Sequence, residues 1–319
     1  MKGLEPETSL NSLISAFGRI AAIEWPTLLL VCLVYSGWFL TVAMYPHWPT
    51  WIVIAAAVLF ATLHSSLQHE ILHGHPTRWR AANRLMAIVP LSLWLPYERY
   101  RQAHLLHHID EHLTDPLDDP ETFYWTAADW ARLGWFSRTM LKLQSCLLGR
   151  VIIGPFWIVA RFLGVEAGRL IRNEANVRAV WAEHLAWSVP VIAWVTLVAG
   201  MPVWFYLLAI VMPSTGILLI RSFAEHRAVP ETRERIAIVE NSWLLGPLFL
   251  FNNLHSVHHE KPTLPWYRYN AWYRQNRQRL LSENGALVYN TYFDVARRYL
   301  LSSHDVLVHP IRHGAAGAA

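Results

Sequence analysis

Long runs of apolar residues divide the chain, and each is close to the roughly 20 residues that a helix needs to cross a bilayer. A Pro-Ser-Thr-Gly sequence, Pro213 to Gly216, interrupts the apolar run that begins at Val203 and predicts a kink there. The apolar runs therefore predict four transmembrane helices, at about Pro26–Met44, Trp51–His69, Ala179–Val198 and Val203–Arg221.

Two further apolar stretches are less suited to crossing a membrane. Leu85–Pro96 is too short to span a bilayer. Leu147–Leu163 contains Arg150, Arg161 and a Gly-Pro pair, so we expect both stretches to be interfacial or re-entrant. If only one of them crossed, the polar segments on its two sides would face opposite compartments.

The remaining segments are more polar and complete a single domain over residues 1–319. Residues 1–25 carry apolar positions at helical spacing and predict a short cytoplasmic or interfacial helix. Residues 262–301 predict a helical cap on the cytoplasmic side, and residues 302–319 a flexible tail. The fold class is thus an all-α integral membrane protein with about four transmembrane helices.

Composition supports a location in the membrane. Hydrophobic residues make up 54% of the chain and charged residues only 16%, whereas a soluble domain has about a quarter charged residues. The two short connections, Tyr45–Thr50 and Ala199–Pro202, contain no Lys or Arg. The positive-inside rule then predicts that the other ends of the helices, with both termini, are cytoplasmic.

The candidate chemistry lies in a pattern of histidines. His255, His258 and His259 occur at i, i+3 and i+4, and the same spacing recurs in the segment 104–108. His69 and His73 form a two-histidine version. Offsets of three and four residues share one helix face, so the three imidazoles of one cluster can converge on a single point.

These clusters provide eight imidazoles, and His226, at the end of the fourth apolar run, is a natural ninth. So many neutral ligands exceed what one tetrahedral zinc ion accepts, and two metal ions fit better. All-imidazole ligation without a bridging carboxylate suits a redox metal such as iron, although imidazole alone does not select it.

Other polar residues near the clusters are candidates for orienting a ligand or for replacing one. His64 lies deeper in the second apolar run, and the pair His64/His69 is an alternative to His69/His73. His184, His304 and His309 are predicted to be ordinary interfacial or surface residues. The candidates for a supporting or alternative role are His64, Glu70, His75, His112, Asp119, Glu225 and Asn252.

The set of clusters, with Asp119-Pro120-Glu121 and Glu225-His226, resembles the membrane fatty acid desaturase superfamily over roughly residues 50–270. That superfamily includes alkane hydroxylases and carotenoid ketolases and hydroxylases. The resemblance implies two non-haem iron ions that use O2 and two electrons to attack an unactivated C–H bond, with no catalytic residues beyond the metal ligands. The implied ligands are His69, His73, His104, His107, His108, His226, His255, His258 and His259.

The resemblance also implies partners and a location. The substrate is expected to be a membrane lipid or other long-chain hydrocarbon, and no nucleic-acid partner is expected. No electron-carrier domain is evident in the sequence, so electrons are expected from an external ferredoxin, rubredoxin or similar protein with its reductase. We expect the bacterial inner membrane, with the active site on the cytoplasmic side.

Three other functions compete with an acyl desaturase. A hydroxylase or ketolase acting on an alkane, lipid or carotenoid has the same histidine clusters. His69-Glu70-Ile71-Leu72-His73 also matches the HExxH pattern of a zinc protease, in which the glutamate is the general base. A metal transporter would distribute its polar residues through the membrane depth, whereas these histidines cluster at one end of the apolar runs.

Overall fold

The structure is a computed structural model, and it describes residues 23–311. These residues are mostly helical, with one pair of two-residue parallel strands, β1 (Ile238–Val239) and β2 (Val288–Tyr289). The predicted N-terminal helix and the end of the predicted tail lie outside the described residues. Within the described residues, the first eight helices are α1 (Trp25–Ala43), α2 (Thr50–Leu72), α3 (Arg80–Ala87), α4 (Tyr97–His107), α5 (Ala127–Arg132), α6 (Trp135–Leu143), α7 (Leu147–Ile152) and α8 (Gly154–Ile171).

Two more long helices complete the apolar bundle, α9 (Val177–Val198) and α10 (Val203–Phe223). Among the described residues, α1, α2, α9 and α10 are long and apolar enough to cross a membrane. The prediction of four membrane spans is therefore confirmed, with ends within a few residues of those expected. The later helices are α11 (Leu245–Leu248), α12 (His255–Glu260), α13 (Tyr269–Glu283) and α14 (Tyr292–Tyr299).

The interruption in α10 has a packing role. A π-helical turn, Leu207–Val211, comes just before Pro213, where the proline ring removes a helical hydrogen bond. Gly216 follows, and a Cβ there would lie 2.6 Å from the carbonyl oxygen of Val151. The absence of a side chain thus lets α7 pack directly on the backbone of α10.

The apolar stretch before α4 is re-entrant. Residues 88–96, the re-entrant segment, are not helical, and Leu91 is fully buried among the spans. The hydroxyl of Tyr206 donates to the carbonyl of Leu91 at 2.6 Å. Tyr206 lies near the start of α10, at the end of the bundle opposite His69 and His73, so the segment penetrates deeply between the helices.

Buried side chains satisfy the carbonyls of this non-helical backbone and of the end of α3. Tyr35 donates to Met86 at 2.8 Å and Gln68 to Ala87 at 2.7 Å. His184 lies 3.0 Å from the carbonyl of Leu93 through its Nε2. Such partners are required because backbone carbonyls inside a bilayer have no water to bind.

The C-terminal part forms the helical cap. Leu254 and Val257, next to and within α12, pack with Tyr269, Tyr273 and Leu280 in a buried cluster. This cluster fixes the short α12 helix against α13, so that a six-residue helix carrying three histidines is held by tertiary packing.

Two histidines predicted at a surface or interface are buried. His184 is 3% exposed and His309 is 4% exposed. His309 donates its backbone N–H to Trp125 at 2.9 Å, and Trp125 donates to Leu307 at 2.9 Å. Part of the predicted flexible tail, up to residue 311, is thus hydrogen-bonded to the loop that precedes α5.

Candidate metal centre

The structure brings together all nine histidines that the sequence pattern and the resemblance select. Eight of them form two groups of four, and in each group one ring nitrogen of every member lies within 4.8 Å of the others. His108 adjoins the first group, since its Nε2 lies 3.0 Å from that of His104 and 2.8 Å from that of His258. The first group is His69, His73, His104 and His258, and the second is His107, His226, His255 and His259.

The sequence pattern predicts that the members of one cluster converge on a single point. Instead, each three-histidine cluster divides between the two groups. His255 and His259 belong to the second group, while His258 belongs to the first. Residues at i and i+4 are only about 40° apart around a helix, whereas consecutive residues are about 100° apart. A cluster at i, i+3 and i+4 therefore keeps its outer pair together and directs the middle residue elsewhere.

The segment 104–108 obeys the same rule. His104 and His108 stay together, while His107 lies with its Nε2 3.1 Å from that of His226. The pair His69 and His73, also at i and i+4, remains in the first group. The two groups are consequently interleaved, and neither can form from one cluster alone.

Protein oxygen atoms lie beside the Nδ1 atoms of several rings. Nδ1 of His107 is 2.9 Å from Asp119, and Nδ1 of His104 is 2.9 Å from Glu121. A ring that donates from Nδ1 has its Nε2 lone pair available for a metal, so these carboxylates select the tautomer and fix the ring orientation.

His255 and His258 of α12 also have polar partners beside their Nδ1 atoms. Nδ1 of His258 is 3.1 Å from the hydroxyl of Tyr269. Nδ1 of His255 is 3.2 Å from the amide oxygen of Asn252 and 3.3 Å from a carboxylate oxygen of Glu225.

The Nε2 atoms face one another across short distances. They are 3.2 Å apart in His73 and His104, and 3.0 Å apart in His226 and His255. Two nitrogens bound to one metal ion at roughly 2.0–2.1 Å lie about 3 Å apart, so these separations suit shared metal ligation. The donor set therefore fits two metal ions: the imidazoles converge through Nε2, and the carboxylates contact Nδ1.

Burial favours the neutral form of these imidazoles. It lowers the pKa of His226, His255 and His258 well below the usual value of histidine. Burial acts in the same direction on His107, but Glu121 and Asp119 outweigh it and raise the pKa of that ring to about 9. A metal at Nε2 of His107 has to displace a proton, and the carboxylates that stabilise this proton also stabilise the positive charge of a metal ion in its place.

A polar cavity reaches the second group. It has a volume of about 40 Å³, and its walls include His107, His226, Asp119, Glu225 and Tyr124. Since a water molecule needs roughly 10–15 Å³ measured in this way, the cavity has room for water-sized molecules.

The other candidates occupy several environments. Asp119, Glu225 and Asn252 contact ring nitrogens of the two groups, as described above, and Asn252 also lies 3.4 Å from Nε2 of His69. His64 instead contacts the hydroxyl of Tyr35 at 3.1 Å, and His112 is exposed.

Glu70 and His75 have their contacts outside the two groups. Glu70 accepts the backbone N–H of Trp266 at 3.0 Å, and Nδ1 of His75 lies 2.7 Å from Glu24. Glu70 therefore does not occupy the position of a general base beside a metal held by His69 and His73, which a zinc protease requires.

Two supporting residues were not singled out from the sequence. Glu121 has a signal there, since it follows Asp119 after one proline in the segment that carries the resemblance. Tyr269 lies 11 positions after His258 without a recognisable motif, and only the packing of α13 against α12 brings its hydroxyl to the ring.

Comparison with known families agrees with this geometry. The family model for fatty acid desaturases matches residues 45–292, which include all nine histidines. No individual curated protein matches the chain. Because the match covers most of its length, the chain belongs to the fatty acid desaturase family. It is thus a membrane oxidoreductase of a family that typically carries a di-iron centre.

Proposed function

We propose that the protein is a membrane-bound di-iron fatty acyl desaturase, acting on an acyl lipid or acyl thioester. The observation that carries the proposal is the pair of interleaved imidazole groups, with Nε2 atoms about 3 Å apart, at one end of four apolar helices. The proposed ligands are the eight histidines of the two groups together with His108.

Two iron ions held there would supply the activation of O2 and the removal of two hydrogen atoms from neighbouring carbons. The overall reaction consumes one O2, two electrons and two protons, forms one C=C bond and releases two water molecules. The protein's own contribution is to hold the rings as neutral Nε2 donors. Asp119, Glu121 and Glu225 place negative charge around the cations and orient the rings.

The polar cavity beside His107 and His226 is a path by which water and protons exchange with the centre. The hydrocarbon chain enters from the bilayer side, since the spans expose apolar residues such as Leu29, Leu33 and Leu40 to their surroundings. The alkane portion of the substrate thus reaches the centre from a different direction than the one by which water leaves it.

The orientation follows from the connections between spans. Neither 45–50 nor 199–202 contains Lys or Arg, and by the positive-inside rule this supports turns outside and a histidine centre on the cytoplasmic side. We propose the bacterial inner membrane as the location. An external ferredoxin, rubredoxin or similar carrier with its reductase supplies the electrons, and an acidic carrier docks on the basic cytoplasmic face.

Two measurements on the purified protein and its host test the proposal. Metal analysis should find two iron ions per chain. Mass spectrometry of lipids from an expressing host supplied with ¹⁸O2 should find a new double bond and no ¹⁸O in the product. Incorporation of ¹⁸O would replace the desaturase by a hydroxylase or ketolase, and one zinc ion without iron would overturn the proposed class.

Electron delivery is tested separately. With a purified acidic donor, turnover at subsaturating donor should fall as ionic strength rises, because charge steering is screened by salt. Turnover that does not depend on salt would contradict electrostatic docking while leaving the assignment of the metal centre unaffected.

A further inference from the structure

A third group of metal-ligating side chains lies apart from the imidazole groups. Glu24, Glu70 and His75 each offer one ligand atom, and these atoms lie within 4.8 Å of one another. Glu24 immediately precedes α1, Glu70 lies in the last turn of α2, and His75 follows the end of α2. The group therefore joins the beginning of the first span to the end of the second.

The group is enclosed and its contacts are incomplete. His75 is 4% exposed and Glu70 is 5% exposed. Nδ1 of His75 lies 2.7 Å from Glu24, but its Nε2 is buried without a hydrogen-bond partner. The nearest carboxylate oxygen of Glu70 is 3.7 Å from that Nε2, which is too far for a hydrogen bond.

That separation suits two ligands of one ion. Ligand atoms that each lie roughly 2.0–2.2 Å from a metal must be within about 4.4 Å of each other. An ion between Nε2 of His75 and the carboxylate of Glu70 thus gives the buried nitrogen a partner without moving either backbone.

The charge of the group also calls for a cation. It contains two carboxylates, and among residues 23–311 the ion pairs of Glu24 and Glu70 involve His75 and no Lys or Arg. A proton on His75 supplies one positive charge, whereas a divalent cation supplies two. Buried charges persist when they are paired or bound to a metal.

We propose that His75, through Nε2, and Glu70 bind one divalent first-row metal ion, of the kind represented by manganese or zinc, while Glu24 orients the imidazole through Nδ1. Imidazole and carboxylate are donors that such ions accept. Through the contact of Glu24 with His75, the site ties the beginning of α1 to the helix that carries His69 and His73. Glu70 also accepts from the backbone of Trp266, and Trp266 donates through its indole to Thr27, so the site extends to the segment after α12.

The test uses the full chain in detergent, with the histidine centre first loaded with Fe²⁺ without oxygen. The protein is then titrated with Mn²⁺, and the EPR signal of free Mn²⁺ reports how much is bound. We expect the unmodified chain to bind one more Mn²⁺ than the Glu24→Gln variant, whose affinity at this site falls at least about tenfold. Equal binding by the two proteins, or no binding by the unmodified chain, would overturn the proposal.

A matched control is Glu183→Gln, which removes a carboxylate that pairs with Arg84 instead. It should bind the additional Mn²⁺ normally. A second measurement does not depend on a variant: pulsed EPR of the bound Mn²⁺ should show coupling to a single imidazole nitrogen. Coupling to several nitrogens would place the ion in the histidine centre and refute the third site. Neither readout depends on the reaction catalysed, so this inference can fail or succeed independently of the desaturase proposal.

Discussion

The histidine centre and the surroundings of the re-entrant segment both bury polar side chains, but they satisfy them differently. Around the re-entrant segment, side chains meet backbone carbonyls of the protein itself, as Tyr206 does with Leu91 at 2.6 Å. In the histidine centre, Nδ1 atoms meet protein oxygens while Nε2 atoms meet other Nε2 atoms, as in His108 and His258 at 2.8 Å. The first arrangement pairs side chains with backbone carbonyls, whereas the second directs several Nε2 atoms at one another, as shared metal ligation requires.

This difference separates structural from functional polar residues better than residue type does. His64 and His69 lie on the same helix, and both are buried. His64 contacts Tyr35, whose hydroxyl donates to a carbonyl, whereas His69 belongs to the first imidazole group. The comparison therefore assigns His64 to the support of the re-entrant segment and not to the centre.

The largest effect should follow removal of a ring from the centre. His258→Ala takes away an imidazole that contacts His108 and belongs to the first group. Because loss of a supporting residue alone costs roughly 10–100-fold in metal affinity, we expect loss of a ligand to exceed about 100-fold. Iron content by elemental analysis and product formation should both fall to background. His64→Ala is the matched control. Loss of iron in that variant would contradict the assignment of His64 to the re-entrant segment and not to the centre.

A smaller effect is expected when a carboxylate behind a ring is neutralised. Asp119→Asn retains the shape of the side chain but removes the charge 2.9 Å from Nδ1 of His107. We expect iron affinity to fall by roughly 10–100-fold. Competition with a chelator measures this affinity. Asp129→Asn, at a carboxylate that pairs with Arg132 on α5, is the control and should match the unmodified chain.

Removing a neutral partner should cost less again. Tyr269→Phe deletes the hydroxyl 3.1 Å from Nδ1 of His258 and leaves the aromatic ring. A neutral hydrogen bond contributes about 0.5–1.5 kcal/mol, so iron affinity should fall roughly two- to tenfold. The same chelator competition provides the measurement. An effect as large as that of Asp119→Asn would mean that the hydroxyl does more than orient the ring.

A change beside the re-entrant segment should have the smallest effect on iron binding. Tyr206→Phe removes the donor to Leu91 and leaves a buried carbonyl without its partner. We expect the protein to lose about 1–3 kcal/mol of stability while iron content stays unchanged. Thermal unfolding in detergent, followed by tryptophan fluorescence beside elemental analysis, checks both parts. Iron loss without destabilisation would contradict a purely structural role.

Much of the fold could be predicted from apolar run length, because the thickness of a bilayer sets how long an apolar helix must be. The four spans follow from this rule, and Arg150, Arg161 and the Gly-Pro pair exclude Leu147–Leu163 from them. The depth of residues 88–96 could not be predicted, since it depends on carbonyl partners from His184 and Tyr206, and on Tyr35 and Gln68 at the end of α3 just before it, all of which are distant in sequence.

Eight of the nine candidate histidines followed from spacing, because residues at i and i+4 share a helix face wherever the helix is placed, and the isolated His226 followed from its position at the end of the fourth apolar run. Helix geometry keeps the outer pair of each cluster together, but which pairs and middle residues share a group required the relative positions of α2, α4, α12 and the segment after α10. Likewise, the carboxylate of Asp119 was a candidate by its proximity in sequence, while Tyr269 became a partner of His258 only through packing.

The sequence by itself therefore determined the membrane spans through apolar run length and composition, while the set of histidine motifs pointed to the family and to nine candidate ligands. The tertiary structure decided which rings meet, which carboxylates stand behind them, and which buried polar residues serve the backbone instead. These outcomes depend on contacts between segments that lie up to about 180 residues apart, such as Asn252 and His69 at 3.4 Å. Such contacts arise from the packing of whole helices, and no local pattern in the chain specifies them.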